Sequence, residues 1–329
     1  MSRVDFSTNF TGGVAPSDYT PTTISGMGSA IGKIAEQVIR QFTAKNPLSV
    51  FEKMPINNGT TIEQMFIELV ESQAYDRAGA NALTRKNPSM VVKYFDGWTP
   101  AKFHTSVDTS EIRKVLTQDK SASDVAAKIV SVLSESDTYE RYLNLKQLLA
   151  LGKQVVDGGQ NTGGTASGVG ATLKRYDTIA YDEVNDTVDY KGLLVAIKDA
   201  VKGMQFVNST YNTAGIVKKT NAEDIYILMP YKLKNKLDVE ELAGVFNLDK
   251  AEIKDKIIEI DTDADDSGFQ YVYILDRYAI LDYTRLYEML DQLNADGRFW
   301  NYFLHVERLF GISPLFDAGY IKVAVESQE

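Results

Sequence analysis

Between Ser121 and Val156 the chain reads "SASDVAAKIVSVLSESDTYERYLNLKQLLALGKQVV". Val125, Ile129, Val132, Tyr139 and Leu143 recur near helical spacing, and Ser121 or Ser123 is available as the N-cap. At ~1.5 Å per residue this predicts a helix of roughly 50 Å, far beyond the ~11–12-residue mean of globular helices. A helix of that length is a spine, and shorter elements must be arranged along it.

What precedes the spine cannot form a core of its own. Residues Met1 to Ser29 are rich in Ser, Thr, Gly and Pro without helical or strand periodicity, and read as an extended or disordered arm. Ile31, Ile34, Ala35, Val38, Ile39 and Phe42 give a short amphipathic helix, stopped at Asn46-Pro47. Two β-prone runs follow, Thr60 to Val70 and Val91 to Val107, around the polar stretch "ESQAYDRAGANALTRKNPSM". The simplest structure is a long two-stranded arm with a loose tip. A two-stranded ribbon is marginal by itself in water, so this arm is expected to lie on something else, most economically a neighbouring copy.

Beyond the spine the pattern is that of an α+β unit. The glycine-rich "VDGGQNTGGTASGVGAT" (Val156 to Thr172) leads to an expected strand at Asp177 to Tyr181 and a helix at Tyr190 to Met204. The apolar run "IYILM" (Ile225 to Met229) suits a buried strand, and Pro230 suits the first turn of a following helix. Asp238 with Glu241, and Asp249 with Glu252, mark two further helix starts. Strands at Lys256 to Ile260 and Gln270 to Leu275 close the unit. A turn at Asp296-Gly297 opens a strand in which Trp300, Tyr302, Leu304 and Val306 form one apolar face, so Trp300, Tyr302 and Leu304 are the expected structural core there.

Chemistry is excluded motif by motif. The chain has 329 residues, 44% hydrophobic and 24% charged, with no cysteine, which removes thiolate nucleophiles, iron–sulfur centres and thiolate zinc sites. A formal charge of −10 argues against a basic nucleic-acid face. In the glycine loop, Gly163 and Gly168 have phosphate-loop spacing, but Val169 and Gly170 stand where Lys and Ser/Thr are required. "DTDADDSG" (Asp261 to Gly268) starts like a calcium loop with Asp261, Asp263 and Asp265, yet Asp266 replaces the needed glycine and Val272 the closing glutamate. His104 and His305 lack metal-ligand spacing, and "GISPL" lacks the second glycine of a nucleophile elbow. No apolar run approaches the ~20 residues of a membrane span. The expectation is a protein without catalytic, cofactor-binding or metal-ligating residues, which is not an enzyme and has no membrane partner.

The order of elements resembles the major capsid proteins of the phi twenty-nine group of short-tailed bacteriophages, built on the Hong Kong 97 type capsid fold. Four segments carry the likeness: "NPLSVFEKMPINNGTTIEQMFIELVESQAYD" from Asn46, "KFHTSVDTSEIRKVL" from Lys102, "LDVEELAGVFNLDKAEI" from Leu237 and "GRFWNYFLHVERLFGISPLFDAGYI" from Gly297. The resemblance implies an N-terminal arm (1–50), an extended loop (51–107), a peripheral domain with the spine helix (108–184), an axial domain (185–296) and returning peripheral strands (297–329). The chain ends soon after the returning strand, so the immunoglobulin-like extension of some relatives is expected to be absent. Inter-subunit contacts are expected at Arg77, Arg85, Lys86, Tyr94 and Trp98 of the loop and Phe42 of the arm. Lys86 is also the positional candidate for the Lys–Asn cross-link found in some shells of this fold.

The implied function is a structural subunit that assembles, in the host cytoplasm, into hexamers and pentamers of an icosahedral or prolate virion head. Its implied partners are its own copies, a scaffolding protein and a portal, around double-stranded DNA enclosed without sequence-specific binding. Two alternatives are an encapsulin-type compartment and, remotely, a nucleotide-dependent enzyme using the glycine loop.

Overall fold

The computed structural model describes residues 43, 45–56, 59–72, 74–75, 77, 85–108, 119–153, 155–157, 160–162, 173–182, 187–240, 256–261 and 269–324. In chain order the elements are a 3-10 turn (Pro47–Phe51), β1 (Ile62–Ile67), β2 (Met90–Phe95), β3 (Trp98–Val107), α1 (Asp119–Gly152), β4 (Val155–Asp157), β5 (Gln160–Thr162) and β6 (Lys174–Ile179). They continue with β7 (Tyr181–Asp182), β8 (Thr187–Val188), α2 (Tyr190–Met204), a second 3-10 turn (Ala222–Asp224), β9 (Ile225–Pro230), α3 (Tyr231–Glu240) and β10 (Ile257–Ile260). β11 (Phe269–Asp276), β12 (Ile280–Asn294), β13 (Phe299–Ile312) and β14 (Ala318–Ala324) complete the chain.

The spine helix is α1, with 34 residues. It starts before Ser121 and Ser123, which therefore lie inside it rather than capping it. It ends at Gly152 rather than Val156, where a side chain would meet Ile312 Cδ1 at 2.6 Å and Leu173 just beyond. The predicted last turn is instead β4, which pairs with β5 in the register Val155↔Thr162. Gly163 to Thr172, and with it most of the glycine loop, lies outside the described residues.

The chain divides into two compact units, one of residues 44–101, 137–288 and 305–329, the other of residues 1–43, 102–136 and 289–304. The first is built on a five-stranded sheet in the order β10-β9-β11-β14-β6. β9 pairs in parallel with β10 and β14 in parallel with β6, while β11 runs antiparallel to both β9 and β14. Both faces of this sheet are covered, which is why its strands read as continuous apolar runs. Ile225, Ile227, Met229, Val272, Ile274, Ile321 and Val323 face one core with α2 and α3. Leu228, Tyr273, Leu275 and Tyr320 face the other, with Leu145, Leu148 and Leu149 of α1 and with Leu48 and Phe51 of the first 3-10 turn. Each such side chain removed from water stabilises the fold by about 1.5–3 kcal/mol.

α2 forms where the sequence predicts it, because Leu193, Ile197, Ala200, Val201 and Met204 share its buried face and the Asp189 carboxylate accepts the Gly192 N–H at 2.9 Å. The helix start expected at Asp238 is displaced: the chain is helical from Tyr231, directly after Pro230, and Asp238 lies inside α3. The start expected at Asp249 lies outside the described residues.

The extended arm departs from its prediction in one respect. β1 pairs antiparallel with β2, Ile62↔Phe95 through Ile67↔Met90. The second β-prone run then breaks at Asp96-Gly97, where the Trp98 N–H turns back onto the Asp96 carbonyl at 2.8 Å. Its remainder, β3, joins a separate sheet in the order β12-β13-β3. The five-stranded sheet combines β6, β9 to β11 and β14, so it draws on the 108–184, 185–296 and 297–329 segments alike.

Candidate assembly interface

The β1–β2 ribbon places apolar side chains where no described residue covers them fully. Alternation along paired strands sends Met65, Ile67, Val92, Met90 and Tyr94 to one face, with Glu63 opposite Tyr94. Met65, Ile67, Met90 and Tyr94 are all more than half exposed, and Leu69, Val70 and Tyr75 continue the exposure toward the tip. Scattered exposed apolar residues need no explanation, but a contiguous set on one ribbon face marks an interaction surface.

The root of this ribbon is held by buried charges. Asn46 accepts the Leu48 N–H at 2.9 Å and starts the turn that buries Leu48 and Phe51. The next residues run beside β12: the Lys53 N–H donates to the Asp282 carbonyl and the Ile56 N–H to the Thr284 carbonyl, both at 2.9 Å. Glu52 reaches Arg141 of α1 at 2.6 Å, and Arg141 Nε donates to the Asp282 carboxylate at 2.8 Å. One turn earlier on α1, Asp137 accepts from Arg308 of β13, Nη2 to Oδ2 at 2.7 Å. Arg308 Nε also lies 3.4 Å from the Thr284 hydroxyl. Helix, β12, β13 and arm root are thereby tied by alternating charges inside one unit.

The energetics of the network are dominated by burial. Burial pushes the Asp282 carboxyl above its ordinary range, against the hydrogen bond and charge of Arg141 and the charge of Arg308. Arg141 is likewise desolvated, but its bonds to Asp282 and Glu52 outweigh this and hold its pKa above the usual value. Burial lowers that of Lys53, with the Arg277 charge adding to it, and its ammonium donates to the Arg277 carbonyl at 2.8 Å. Buried pairs of this kind contribute little net stability when intact, yet losing one partner is costly.

Of the residues expected at subunit contacts, Arg77, Arg85 and Lys86 are exposed, and Arg85 Nε donates to Asn87 Oδ1 at 3.0 Å. Tyr94 is exposed with its hydroxyl 3.3 Å from Glu63. Trp98 is half-buried: its indole N–H donates to the Thr60 carbonyl, and the Arg285 guanidinium lies 4.8 Å from its ring while pairing with Glu307. Phe42 lies outside the described residues.

Among the expected core residues, Leu304 is fully buried, whereas Trp300 and Tyr302 are only half-buried. The reason is local: β13 gains cover along its length, with full burial beginning at Leu304. Sequence reasoning missed Glu52, Asp137, Arg141, Asp282 and Arg308. The usable signal was Asp137 and Arg141 sharing helical spacing with Leu145 and Leu148, which puts charge on a buried face.

Among the described residues other polar groups pair with one another. His104 stacks on Phe303 at 4.6 Å and meets Asn301 Oδ1 at 3.1 Å, with Ser106 donating to the same oxygen. His305 is half-buried on β13. Asp261 pairs with Lys146 at 2.8 Å and with the Tyr142 hydroxyl; burial raises its carboxyl, but these bonds outweigh it and hold the pKa low. The rest of the calcium-like turn, through Gly268, lies outside the described residues. Among the described residues no group of three or more His, Asp or Glu could hold a metal, and no helix is long and apolar enough to cross a membrane.

The same fold occurs among solved phage capsids. The capsid structure of Staphylococcus phage Andhra shares it at a TM-score of 0.69 with 13% identity, covering 90% of this chain and 88% of that one. The fold is the Hong Kong 97 type capsid fold. The family model for the Phi29-like phage major capsid protein matches residues 6–322, and the chain belongs to that family of structural proteins. The major capsid protein of Bacillus phage GA-1 is 23% identical over 292 residues, and that of Bacillus phage PZA 22% identical over 296. These alignments cover 88% and 87% of this chain but 58% and 60% of the relatives, so the chain spans about three fifths of their length.

Proposed function

We propose that this chain is the repeating shell subunit of a phage head, assembling into hexamers and pentamers around double-stranded DNA. The observation that carries this reading is the apolar face of the β1–β2 ribbon, exposed among the described residues and tied at its root to the spine helix: a two-stranded ribbon of this kind is stable in water only when another surface covers it. Arg77, Arg85, Lys86, Tyr94 and Trp98 would contact neighbours from the extended loop, and Phe42 from the arm. The arm, extended loop, peripheral and axial segments take the boundaries that the family resemblance implies. A net charge of −10, with 45 Asp and Glu against 35 Lys and Arg, suits a wall past which packaged DNA must slide, since the excess of carboxylates opposes phosphate binding. Scaffolding protein and portal are the expected assembly partners, in the host cytoplasm. Membership of a phage capsid family favours a genome-enclosing head over an encapsulin-type compartment or an enzyme.

Electron microscopy and sedimentation of the purified protein, with and without scaffolding protein, test the proposal. Hollow particles or sheets of hexamers and pentamers are the expected result. Compact monomers alone under both conditions would overturn it.

A further inference from the structure

One buried lysine meets two buried carboxylates where the loop after α2 passes the end of the five-stranded sheet. Lys218 Nζ lies 2.8 Å from Asp276 Oδ2 and 3.7 Å from Asp317 Oδ2, and the side chains are 10%, 4% and 3% exposed. Asp276 is the last residue of β11, Asp317 stands directly before β14, and all three belong to the first compact unit. Two backbone bonds with Asn208, each of 3.0 Å, fix Lys218, and the Phe316 ring lies 4.6 Å from its ammonium. The buried Asn212 amide donates to Asp317 Oδ1 at 3.2 Å, which turns Oδ2 toward Lys218. The buried Thr220 hydroxyl joins the two carboxyls, 2.7 Å from Asp317 Oδ2 and 3.1 Å from Asp276 Oδ2. The other oxygen of Asp276, Oδ1, accepts the Tyr278 N–H at 2.9 Å. The lysine pairs Lys146–Asp261 and Lys234–Glu259 differ, since their carboxylates are half open to water.

We propose that Lys218 and Asp276 condense into an isopeptide bond within the chain, with Asp317 as the proton relay. Lys218 passes a proton to Asp317 Oδ2, and its freed lone pair attacks Asp276 Cγ, held one bond beyond the oxygen that Nζ already touches. The negative charge of the tetrahedral intermediate gathers on Oδ1, where the Tyr278 N–H receives it. The bond from Cγ to Oδ2 then breaks. Oδ2 leaves as water with two of the three ammonium protons, one relayed from Asp317 through the Thr220 hydroxyl. The third proton stays on the amide nitrogen, and Asp317 ends as the carboxylate it began as, so no other reactant is needed. Burial supplies the direction: an ion pair out of water carries the desolvation cost of both charges, and a neutral amide removes it. The reaction is one self-modification without turnover. Its product ties the loop that carries the exposed Phe206 and Val207 to the end of β11 and closes a covalent ring through the unit's core.

Intact-mass spectrometry of the full chain is the test. The folded protein should weigh one water less than its sequence, and a tryptic digest should contain the Lys218 peptide joined to the Asp276 peptide. Lys218→Arg keeps the charge but not the nucleophile, and should weigh what its sequence requires. Asp317→Asn keeps both bonding partners and should also stay at full mass while circular dichroism reports a folded chain. Should that variant fail to fold, Thr220→Val retains both carboxyls and should lower the linked fraction at a fixed time by about tenfold or more. A wild-type chain at full mass, a link between other residues, or relay variants that link as completely as wild type would each overturn the proposal. The mass is read on monomers and particles alike, so a chain that never assembles would sink the shell reading and leave this inference standing.

Discussion

Gly319 stands opposite Lys174 in the parallel pairing of β14 and β6, and a Cβ there would lie 2.2 Å from the Lys174 carbonyl oxygen and 2.4 Å from the Tyr176 ring. Backbone cannot yield as a side-chain end can, so Gly319→Ala should cost about 1–3 kcal/mol by overpacking, read as a lower midpoint in urea. Arg141 makes a different case. Removing it leaves Asp282 buried without its main partner, and Arg141→Ala should cost ~3–5 kcal/mol. Asp282 also sets a pH dependence. Burial holds its folded pKa above the ordinary value of about 3.9, so the folded state binds more protons than the unfolded chain between that value and the raised one. Its contribution to stability therefore falls as pH rises through that window. Asp282→Asn should remove this slope, which melting temperatures measured from about pH 4 upward would show. If wild type and Asp282→Asn track each other across that range, Asp282 does not titrate as its burial implies.

At the scale of elements, legibility followed how local the cause was. α2, β9, β10 and β11 were readable because period, cap and turn residues agree with the burial that the fold imposes. β12 was not readable: "LYEMLDQLN" (Leu286 to Asn294) is rich in good helix formers, yet it is extended because β13 supplies a ladder partner, and tertiary pairing overrides a propensity of a few tenths of a kcal/mol per residue. The break at Asp96-Gly97 was hidden for a related reason, since the residues on either side are equally β-prone and only their different sheets separate them. β13 shows the limit of alternation, which marks a face but not how fully it is covered. Leu304→Ala should accordingly cost ~2–5 kcal/mol, and Trp300→Ala distinctly less despite its larger side chain. Equal losses for the two in a denaturant titration would mean that Trp300 is covered more fully than its half-buried position indicates.

For the whole molecule, the question is which parts serve the subunit and which serve the lattice. The fold class and the existence of an arm were legible in the sequence because a ribbon without a core is visible as pattern. The surfaces that meet were not, because they depend on which edges the finished fold leaves open. The described residues between Ser72 and Ser89 are all exposed and contribute nothing to either core. Met90 opens β2 and pairs with Ile67, and the Ser89 carbonyl accepts the Glu68 N–H at 3.0 Å, so a clean deletion stops at Pro88. Replacing Ser72 to Pro88 by a short Gly/Ser turn should leave the β1–β2 ladder, the Arg141 network and the five-stranded sheet intact. Loop shortening changes closure entropy by only about 0.6 kcal/mol per halving, so the melting temperature should move little. The same deletion removes Arg77, Arg85 and Lys86, the loop residues proposed to meet neighbours. Circular dichroism should therefore report a folded subunit, while sedimentation and electron microscopy report monomers or isolated capsomers in place of closed shells. A deletion variant that unfolds would place the tip within the subunit's own stability, and one that closes normal shells would remove it from the lattice altogether.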